Sequence, residues 1–216
     1  MSTSASLSSE FGKDHGLIHE VVVTGRKVGA GAAFWSRLAH NEDLFRSIVS
    51  AVAGMVVATR PFDPVRFIGE GWGIIPEERD LRSAELSEVD FFTAIFETCL
   101  KEKETSIKGE EKLTRLKVGK SVRFGVTVFM GLWFDYEQCK EDSILERLYK
   151  EKGITYLDFF GDVLLGPRGF RSVLCLCRSA GGVWGWSYRW LDYDWNANNH
   201  SASLANGDLG LGVKSS

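Results

Sequence analysis

The sequence predicts an α+β fold, and three observations lead to that class. Apolar residues recur at helical spacing in the first two thirds of the chain, within 32–52, 106–116 and 126–136. After Gly153, short apolar runs alternate with glycine-rich turns, a pattern typical of β-strands. The 216 residues are 44% hydrophobic and 25% charged, which is ordinary globular composition. A chain of this length can bury a real core.

The N-terminal 80 residues are expected to form a leader and a short helical extension. Residues 1–20 are mostly small and polar and show no sustained periodicity, which favours a mobile leader. Apolar spacing between 32 and 52 predicts two short helices, with Asn41 as the N-cap of the second. Prolines and glycines interrupt 59–80 so often that we expect a loop there with at most one short strand.

Residues 81–216 are expected to form the main domain, which begins with helices and strands in mixed order. Partly alternating aromatic and apolar residues predict a long strand over 89–100. A short amphipathic helix with a single leucine stripe is predicted within 106–116, and a second helix over 126–136. The charged stretch 137–152 predicts either a third helix or a surface insertion.

The last part of the chain is predicted to be rich in β-strands. Strands are expected over Ile154–Phe160 and Ser172–Cys177. Turn signals follow each other between these strands, at Gly161-Asp162 and again over 166–169, which reads Gly-Pro-Arg-Gly. The helices of this domain therefore precede most of its strands.

Charge and hydropathy argue against several classes of partner. The formal net charge is -3 and the pI is about 5.9, whereas a nucleic-acid binder needs a basic face. The most basic stretch, Lys108–Lys120, contains two glutamates and is expected to be a solvated helix face. Ile48–Ala58 is far shorter than the roughly 20 apolar residues of a membrane span. Met1–Glu10 shows no signal-peptide pattern, so we expect a cytoplasmic location, with surface display by an unknown route as the alternative.

No motif predicts catalysis, a metal ion or a cofactor. Cys99, Cys139, Cys175 and Cys177 are too few and too scattered for a disulfide framework, so free thiols are expected. Cys-Leu-Cys is also a poor fragment of a zinc site, which needs two or more residues between paired thiolates. The chain contains neither Gly-x-Ser-x-Gly nor a P-loop. We therefore expect a protein that is not an enzyme.

Tryptophans are concentrated near the C-terminus, where Trp184, Trp186, Trp190 and Trp195 lie within twelve residues. Tryptophan offers a large contact area with few torsions to order, so such clusters occur in recognition surfaces and in cores. For the indoles themselves, packing in an aromatic core is the favoured interpretation.

A second feature of this region is the residue types that it lacks. From Gly161 to Val213 there is no Lys, Glu, Gln or Met, although these four types together make up about a fifth of residues 1–160. The polar and small residues among and around the tryptophans include Cys, Arg, Ser, Gly, Tyr, Asn and His, all of which have codons ending in a pyrimidine. That set is reached when the adenines of an Asn codon are randomised, and it excludes Lys, Glu, Gln, Met and Trp.

Three motifs lie between Phe159 and Leu204: Phe-Phe-Gly-Asp-Val-Leu, Ser-Val-Leu-Cys-Leu-Cys and Trp-Gly-Trp-Ser-Tyr-Arg-Trp-Leu-Asp-Tyr-Asp-Trp-Asn-Ala-Asn-Asn. Together they resemble the variable region of diversity-generating retroelement target proteins, which share a C-type-lectin fold. In that family an error-prone reverse transcriptase rewrites scattered, mostly Asn-derived positions near the C-terminus. The resemblance implies a C-type-lectin-like domain over 81–216, with a variable region at about 161–206. Its ligand would be a protein or cell-surface molecule.

Carried over residue by residue, the resemblance implies a constant frame and a set of variable positions. The frame would be Trp184, Trp186, Trp190, Leu191, Asp192 and Trp195, with Leu174 and Leu176 on the buried side of a strand. The variable, ligand-binding positions would be Cys175, Cys177, Arg178, Ser179, Ser187, Tyr188, Arg189, Tyr193, Asn196, Asn198, Asn199 and His200. Strand alternation agrees, because Cys175 and Cys177 share the face opposite the two leucines. Adaptable side chains on a rigid scaffold would bind as antibody loops do.

Other functions stay open at the level of sequence. A fixed carbohydrate-binding module could use the tryptophans as sugar platforms, and Asp192 with Asp194 could suggest a glycosidase, although an acid pair at this spacing is weak support. A sulfatase-modifying-type enzyme with active cysteines is the least favoured, because fold alone does not indicate that activity. The sugar-binding calcium motif Trp-Asn-Asp is replaced here by Trp195-Asn196-Ala197, which puts a calcium site in doubt.

Overall fold

The computed structural model describes residues 18–41 and 55–205. The chain divides into two compact units, Met1–Val52 and Ala53–Ser216. This division falls earlier than the boundary after residue 80 that the sequence predicted, because residues such as Val57 belong to the core of the second unit. Helices and strands are both present, which confirms the α+β class. Among the described residues, no helix combines the length and the apolar character that crossing a membrane requires.

The described part of the first unit contains two helices. Helix α1 covers 18–27 and α2 covers Ala32–Ala39, and the turn between them holds Gly29 at a φ of 97°. Trp35 Nε1 donates a 3.1 Å hydrogen bond to the Ala30 carbonyl, which ties α2 to this turn. Helix α2 confirms the first helix predicted between 32 and 52, and the second lies outside the described residues. The leader expected up to residue 20 is wrong at 18–20, which are helical.

The second unit carries the remaining elements. In chain order they are β1 (Val56–Ala58), α3 (Pro64–Phe67), β2 (Gly73–Ile74), a 3₁₀ turn (Pro76–Glu78), α4 (Leu81–Glu85), β3 (Glu88–Asp90), β4 (Ile95–Glu97), β5 (Ser106–Lys108), α5 (Gly109–Val118), β6 (Val122–Arg123), α6 (Val126–Cys139), a 3₁₀ turn (Lys140–Asp142), α7 (Ile144–Lys152), β7 (Tyr156–Leu165), β8 (Arg171–Arg178), β9 (Trp184–Trp190), β10 (Asp194–Asn196) and β11 (Asn199–Leu204).

The main sheet has seven strands, five of which lie in the order β4-β11-β7-β8-β9. Strands β11 and β7 are parallel, and the other neighbours in this order are antiparallel. Strand β2 pairs with β7, and β6 pairs with β11, both antiparallel. The second unit also contains two separate two-stranded antiparallel sheets. One pairs β1 with β3, and the other pairs β5 with β10. The predicted β-rich second half is therefore confirmed.

Apolar side chains pack on both faces of the main sheet. On one face Leu174 and Leu176 belong to a large cluster that includes Phe129 of α6. On the other face Val173 belongs to a smaller cluster that includes Leu113 of α5. Both helices were expected from their apolar stripes, and both are confirmed. The alternation along β8 thus separates two cores, one on each face.

The charged stretch after α6 is a helix. Ser143 is the N-cap of α7, and its Oγ accepts a hydrogen bond from the Glu146 amide at 3.3 Å. Gly153 ends the helix in the left-handed conformation, at a φ of 68°. Of the two alternatives that the sequence left open, the third helix is the one observed over 144–152.

The long strand predicted over 89–100 is wrong. The structure contains two short strands, β3 and β4, separated by a turn that begins at Asp90. Asp90 Oδ1 accepts a hydrogen bond from the Phe92 amide at 2.8 Å, and Thr93 Oγ1 donates to the Asp90 carbonyl at 3.1 Å. An aspartate that bonds the backbone two residues onward makes a turn, and this interaction overrides the strand propensity of the aromatic residues.

Two other predictions need correction. The turn expected at Gly161-Asp162 is an irregularity inside β7, where the pairing with β8 shifts register between Phe159 and Leu164. A Cβ atom on Gly161 would lie 2.3 Å from the Arg123 carbonyl oxygen, so glycine is needed for close backbone contact. The stretch 59–80, expected to be a loop with at most a short strand, also contains α3 and a 3₁₀ turn.

Candidate functional site

A polar pocket of about 470 Å³ opens on the face of the main sheet opposite α6. We call it the polar pocket. Its lining residues are Tyr156, Cys175, Cys177, Ser187, Arg189, Asn196, Asn198 and Asn199. Seven of these eight were predicted as ligand-binding positions, and Tyr156 was not. Strands β7, β8 and β9 and the turn after β10 thus bring together residues that are up to 43 positions apart in the sequence.

Strand register explains why these side chains meet. Cys175 on β8 pairs with Ser187 on β9, and Cys177 on β8 pairs with Tyr156 on β7. Paired residues in an antiparallel sheet point to the same face. Leu174 and Leu176 are fully buried on the opposite face, so the predicted division of β8 into two faces is confirmed. The expectation that the cysteine face is fully presented is corrected, because Cys175 is only 1% exposed.

A buried ion pair lies on the same face of the sheet as the polar pocket. Lys112 Nζ of α5 is 3.7 Å from Asp158 Oδ2 of β7, and neither side chain is exposed. Lys112 Nζ donates to the Asn199 carbonyl at 2.7 Å, and Trp195 Nε1 donates to Asp158 Oδ2 at 2.9 Å. We call Lys112, Asp158, Trp195 and Asn199 the pocket floor. Because these groups bond one another, the floor holds the turn after β10 against the sheet.

The charges of the floor are perturbed by their surroundings. Burial raises the pKa of Asp158, and the positive charges of Lys112 and Arg189 act in the opposite direction. Burial likewise lowers the pKa of Lys112, against the effect of the Asp158 carboxylate. The second carboxylate oxygen of Asp158, Oδ1, is buried without a hydrogen-bond partner. Burying this ion pair therefore costs desolvation free energy, and each charge is compensated mainly by the other.

The asparagines of the polar pocket form a closed turn. The backbone N–H of Asn196 donates to Asn199 Oδ1 at 3.1 Å, and the backbone N–H of Asn198 donates to Asn196 Oδ1 at 2.9 Å. Strand β10 is anchored to β5 just before this turn, with Trp195 opposite Ile107. Asn196 and Asn198 are exposed, whereas Asn199 is buried. Two amide side chains are thus presented at the rim on a backbone that is held in place.

The two thiols of the polar pocket are not activated. Burial raises the pKa of Cys175, and the negative charge of Asp158 adds to that effect. The pKa of Cys177 is raised for the same two reasons. A thiol with a raised pKa is mostly protonated at neutral pH and is a poor nucleophile. These cysteines therefore contribute small, weakly polar surface to the pocket.

The other five predicted ligand-binding positions lie away from the polar pocket. Arg178 points to the opposite face of β8 and binds Glu146 of α7 through two hydrogen bonds, of 2.9 and 3.2 Å. Ser179 is exposed beyond the end of β8 and accepts a hydrogen bond from the Val183 amide. His200 is half-buried beside Phe96 in a separate depression. The remaining two, Tyr188 and Tyr193, contact aromatic residues.

A second depression, of about 270 Å³, is lined mainly by aromatic side chains, and we call it the aromatic cleft. Its lining residues are Trp72, Gly166, Pro167, Arg168, Phe170, Tyr188 and Trp190. Trp72 and Tyr188 have ring centroids 4.5 Å apart. Phe170 and Trp190 are stacked, also at 4.5 Å. Two aromatic pairs therefore flank a groove whose only charged lining residue is Arg168.

The predicted tryptophan frame is divided between core and surface. Trp184 and Trp195 are among the largest fully buried side chains. Trp186 is half-buried against Phe67, with ring centroids 4.6 Å apart, and Trp190 is half-buried at the aromatic cleft. Leu191 is buried, whereas Asp192 is exposed. Packing thus accounts fully for two of the four indoles and in part for the others.

Comparison with protein families, with curated proteins and with solved structures gives no match for this chain. Among residues 18–41 and 55–205, no three His, Cys, Asp or Glu side chains lie close enough together to hold a metal ion. Tyr156, Asp158 and Lys112 are the parts of the site that sequence reasoning missed. The one sequence signal for Tyr156 and Asp158 is that they lie two positions apart on a predicted strand and therefore share a face. Nothing in the sequence marks Lys112 as part of the site.

Proposed function

We propose that this protein binds a ligand, a protein or cell-surface molecule, through the polar pocket. The observation that carries the proposal is that seven of the twelve ligand-binding positions implied by the resemblance line a single pocket above a buried floor. Polar side chains of modest size on a fixed backbone are suited to recognition, because little conformational freedom is lost when the ligand binds. The lining also presents hydroxyl, amide and guanidinium groups to a ligand.

We further propose that residues 81–216, within the unit Ala53–Ser216, form a C-type-lectin-like domain whose pocket is diversified by a retroelement. Two helices, α5 and α6, precede the strands that carry the pocket. Lining residues such as Cys177, Ser187 and Arg189 all have codons ending in a pyrimidine. The buried Trp184 and Trp195 belong to the residue type that such codons cannot encode. This division between pocket and core supports diversification without loss of the fold.

A binding role is favoured over catalysis by the state of the pocket's reactive groups. The pKa values of Cys175 and Cys177 are both raised, so neither is the thiolate that a sulfatase-modifying-type enzyme would need. Asp192 and Asp194 are exposed, and Asp194 forms an ion pair with Lys108 at 3.1 Å. A glycosidase also needs a carboxyl group with a raised pKa that reaches its substrate; Asp158 has a raised pKa, but its side chain is fully buried in the pocket floor.

The aromatic cleft favours a second candidate function, a fixed carbohydrate-binding module. Tyr188 and Phe170 are more than a third exposed there, and flat aromatic faces of this kind can stack on the apolar face of a sugar ring. Screening the protein on a glycan array distinguishes the two functions. The carbohydrate candidate predicts binding that Trp190→Ala abolishes and that Arg189→Gln leaves intact.

The encoding DNA provides the direct test of diversification. We expect a reverse-transcriptase gene nearby and a near-repeat of the segment that encodes residues 161–206. The two copies should differ mainly at adenines, and the differences should fall in the codons of pocket residues such as Ser187 and Asn198. Flanking DNA without such a repeat would remove the retroelement from the proposal and leave a fixed binding protein.

A further inference from the structure

Arg189 differs in its partners from six other buried or half-buried arginines of the second unit. Six buried or half-buried arginines of this unit have a carboxylate oxygen within 4.0 Å; they are Arg79, Arg82, Arg115, Arg123, Arg171 and Arg178. Arg189 is also half-buried, and no carboxylate of the described residues lies within that distance of its guanidinium. A guanidinium that is partly removed from water without an anionic partner is unfavourable unless something else binds it.

The guanidinium of Arg189 is held in position on the wall of the polar pocket. Its Cζ atom lies 4.6 Å from the centroid of the buried Trp195 ring. Its Nη2 donates one hydrogen bond, of 2.8 Å, to the Asp194 carbonyl. A guanidinium has five N–H donors in a fixed planar fork, so four of them are left for another acceptor. Because stacking on Trp195 already restricts the Arg189 side chain, less conformational entropy is lost when a ligand binds it.

The charge around the polar pocket is complementary to an anion. Arg189 is the only charged residue in the lining, and no acidic side chain accompanies it. In the floor, Asp158 pairs with Lys112 at 3.7 Å and also feels the charge of Arg189, so these three groups together carry one net positive charge. The carboxylate of Asp194 is engaged by Lys108. The amides of Asn196 and Asn198 add hydrogen-bond donors at the rim.

We infer that the polar pocket binds a carboxylate on an acidic side chain of a protein partner, and that Arg189 donates two hydrogen bonds to it in a bidentate arrangement. One guanidinium matches the single charge and planar shape of a carboxylate, whereas a phosphate dianion would favour a second cation. A sugar acid would need a flat ring to stack on, and Tyr156 is the only aromatic residue that lines the pocket. The inference rests on the proposed use of this pocket, and it does not depend on diversification.

Titration with short peptides, followed by ¹H–¹⁵N spectra of the full chain, tests this inference. The probes are acetyl-Gly-Glu-Gly-amide, the neutral acetyl-Gly-Gln-Gly-amide and 3′-sialyllactose. The Glu peptide should shift the Arg189 Nε–Hε signal and the Asn198 amide signal, and should bind about tenfold or more tightly than the Gln peptide. Arg189→Gln should abolish that preference, and Arg189→Lys should retain part of it because the charge is kept. Arg168→Gln, which removes an exposed arginine at the aromatic cleft, is the matched control and should change binding less than about twofold.

Equal binding of the Glu and Gln peptides, or no binding of either, would overturn the inference. Binding of sialyllactose without the Glu peptide would also overturn it, and would assign the pocket to an acidic sugar. A Glu preference that survives Arg189→Gln would exclude Arg189 as the donor. Failure here is distinct from failure of the diversification proposal, because the DNA comparison reports on that proposal alone.

Discussion

Replacing Lys112 by Met tests how strongly the pocket floor stabilises the second unit. The change removes the ammonium group and keeps most of the apolar stem of the side chain. At 3.7 Å, the attraction between Lys112 and Asp158 is about 4 kcal/mol at an effective dielectric constant of about 20. The variant also removes the hydrogen bond from Lys112 to the Asn199 carbonyl. Removing one partner of a buried pair typically costs about 3–5 kcal/mol, because the other charge stays buried without compensation.

The loss should depend on pH, because Asp158 can take up a proton. Burial already raises the pKa of Asp158, and without Lys112 it should rise further. An unfolded Asp has a pKa of about 3.9, so keeping this carboxyl protonated in the fold costs about 1.4 kcal/mol for each pH unit above that value. This limits the penalty to about 4 kcal/mol at pH 7 and to about 1.5 kcal/mol at pH 5. Since a pKa raised by folding destabilises the fold above the unfolded pKa, stability should return as pH falls.

Urea unfolding followed by tryptophan fluorescence measures both quantities. Lys108→Met is the matched control, because Lys108 pairs with Asp194 at 3.1 Å while both side chains are more than half exposed. It should lower the free energy of unfolding by less than about 1 kcal/mol. The double variant Lys112→Met/Asp158→Asn should recover most of the loss, since no charge is left unpaired. Equal losses for the two lysine variants, or a Lys112→Met loss that is the same at pH 5 and pH 7, would refute this reasoning.

Three further predictions concern the frame and the thiols. Trp195→Phe should lower the free energy of unfolding by about 1.5–3 kcal/mol in urea, because Asp158 loses its indole N–H donor. Gly161→Ala should lower it by at least about 2 kcal/mol in thermal unfolding, because the added methyl group meets backbone atoms; a near-normal melting temperature would contradict that contact. Iodoacetamide should label the half-buried Cys177 before the buried Cys175, and faster as pH rises, because the pKa of both thiols is raised; mass spectrometry of the labelled peptides checks the order.

The periodicity of apolar residues predicted those helices and strands that bury a single face against the core. Helices α5 and α6 follow their apolar stripes, and β8 follows its alternation of Leu and Cys. Periodicity failed at Asp90, where a side-chain hydrogen bond to the backbone ends a strand rich in aromatic residues. It also failed at Gly161, where close backbone contact inside β7 requires the glycine that elsewhere marks a turn.

The candidate site was partly predictable, and alternation could have predicted more of it. Cys175 and Cys177 share a face, so the same rule places Arg178 on the other face, where it binds Glu146. The rule likewise separates Tyr188 from its two pocket neighbours on β9. Lys112 is different, because it lies on a helix, 46 residues before Asp158 in the sequence, and only the tertiary fold specifies that contact.

We expect the pocket wall to tolerate variation, whereas Lys112, Asp158 and the buried indoles of Trp184 and Trp195 should not. We define the pocket wall as Cys177, Ser187, Arg189, Asn196 and Asn198. The measurement is a displayed library, randomised one position at a time, sorted for resistance to protease and sequenced. Each wall position should accept most residue types, whereas Trp184, Trp195, Asp158 and Lys112 should accept few. Wall positions as restricted as the buried tryptophans would contradict the account.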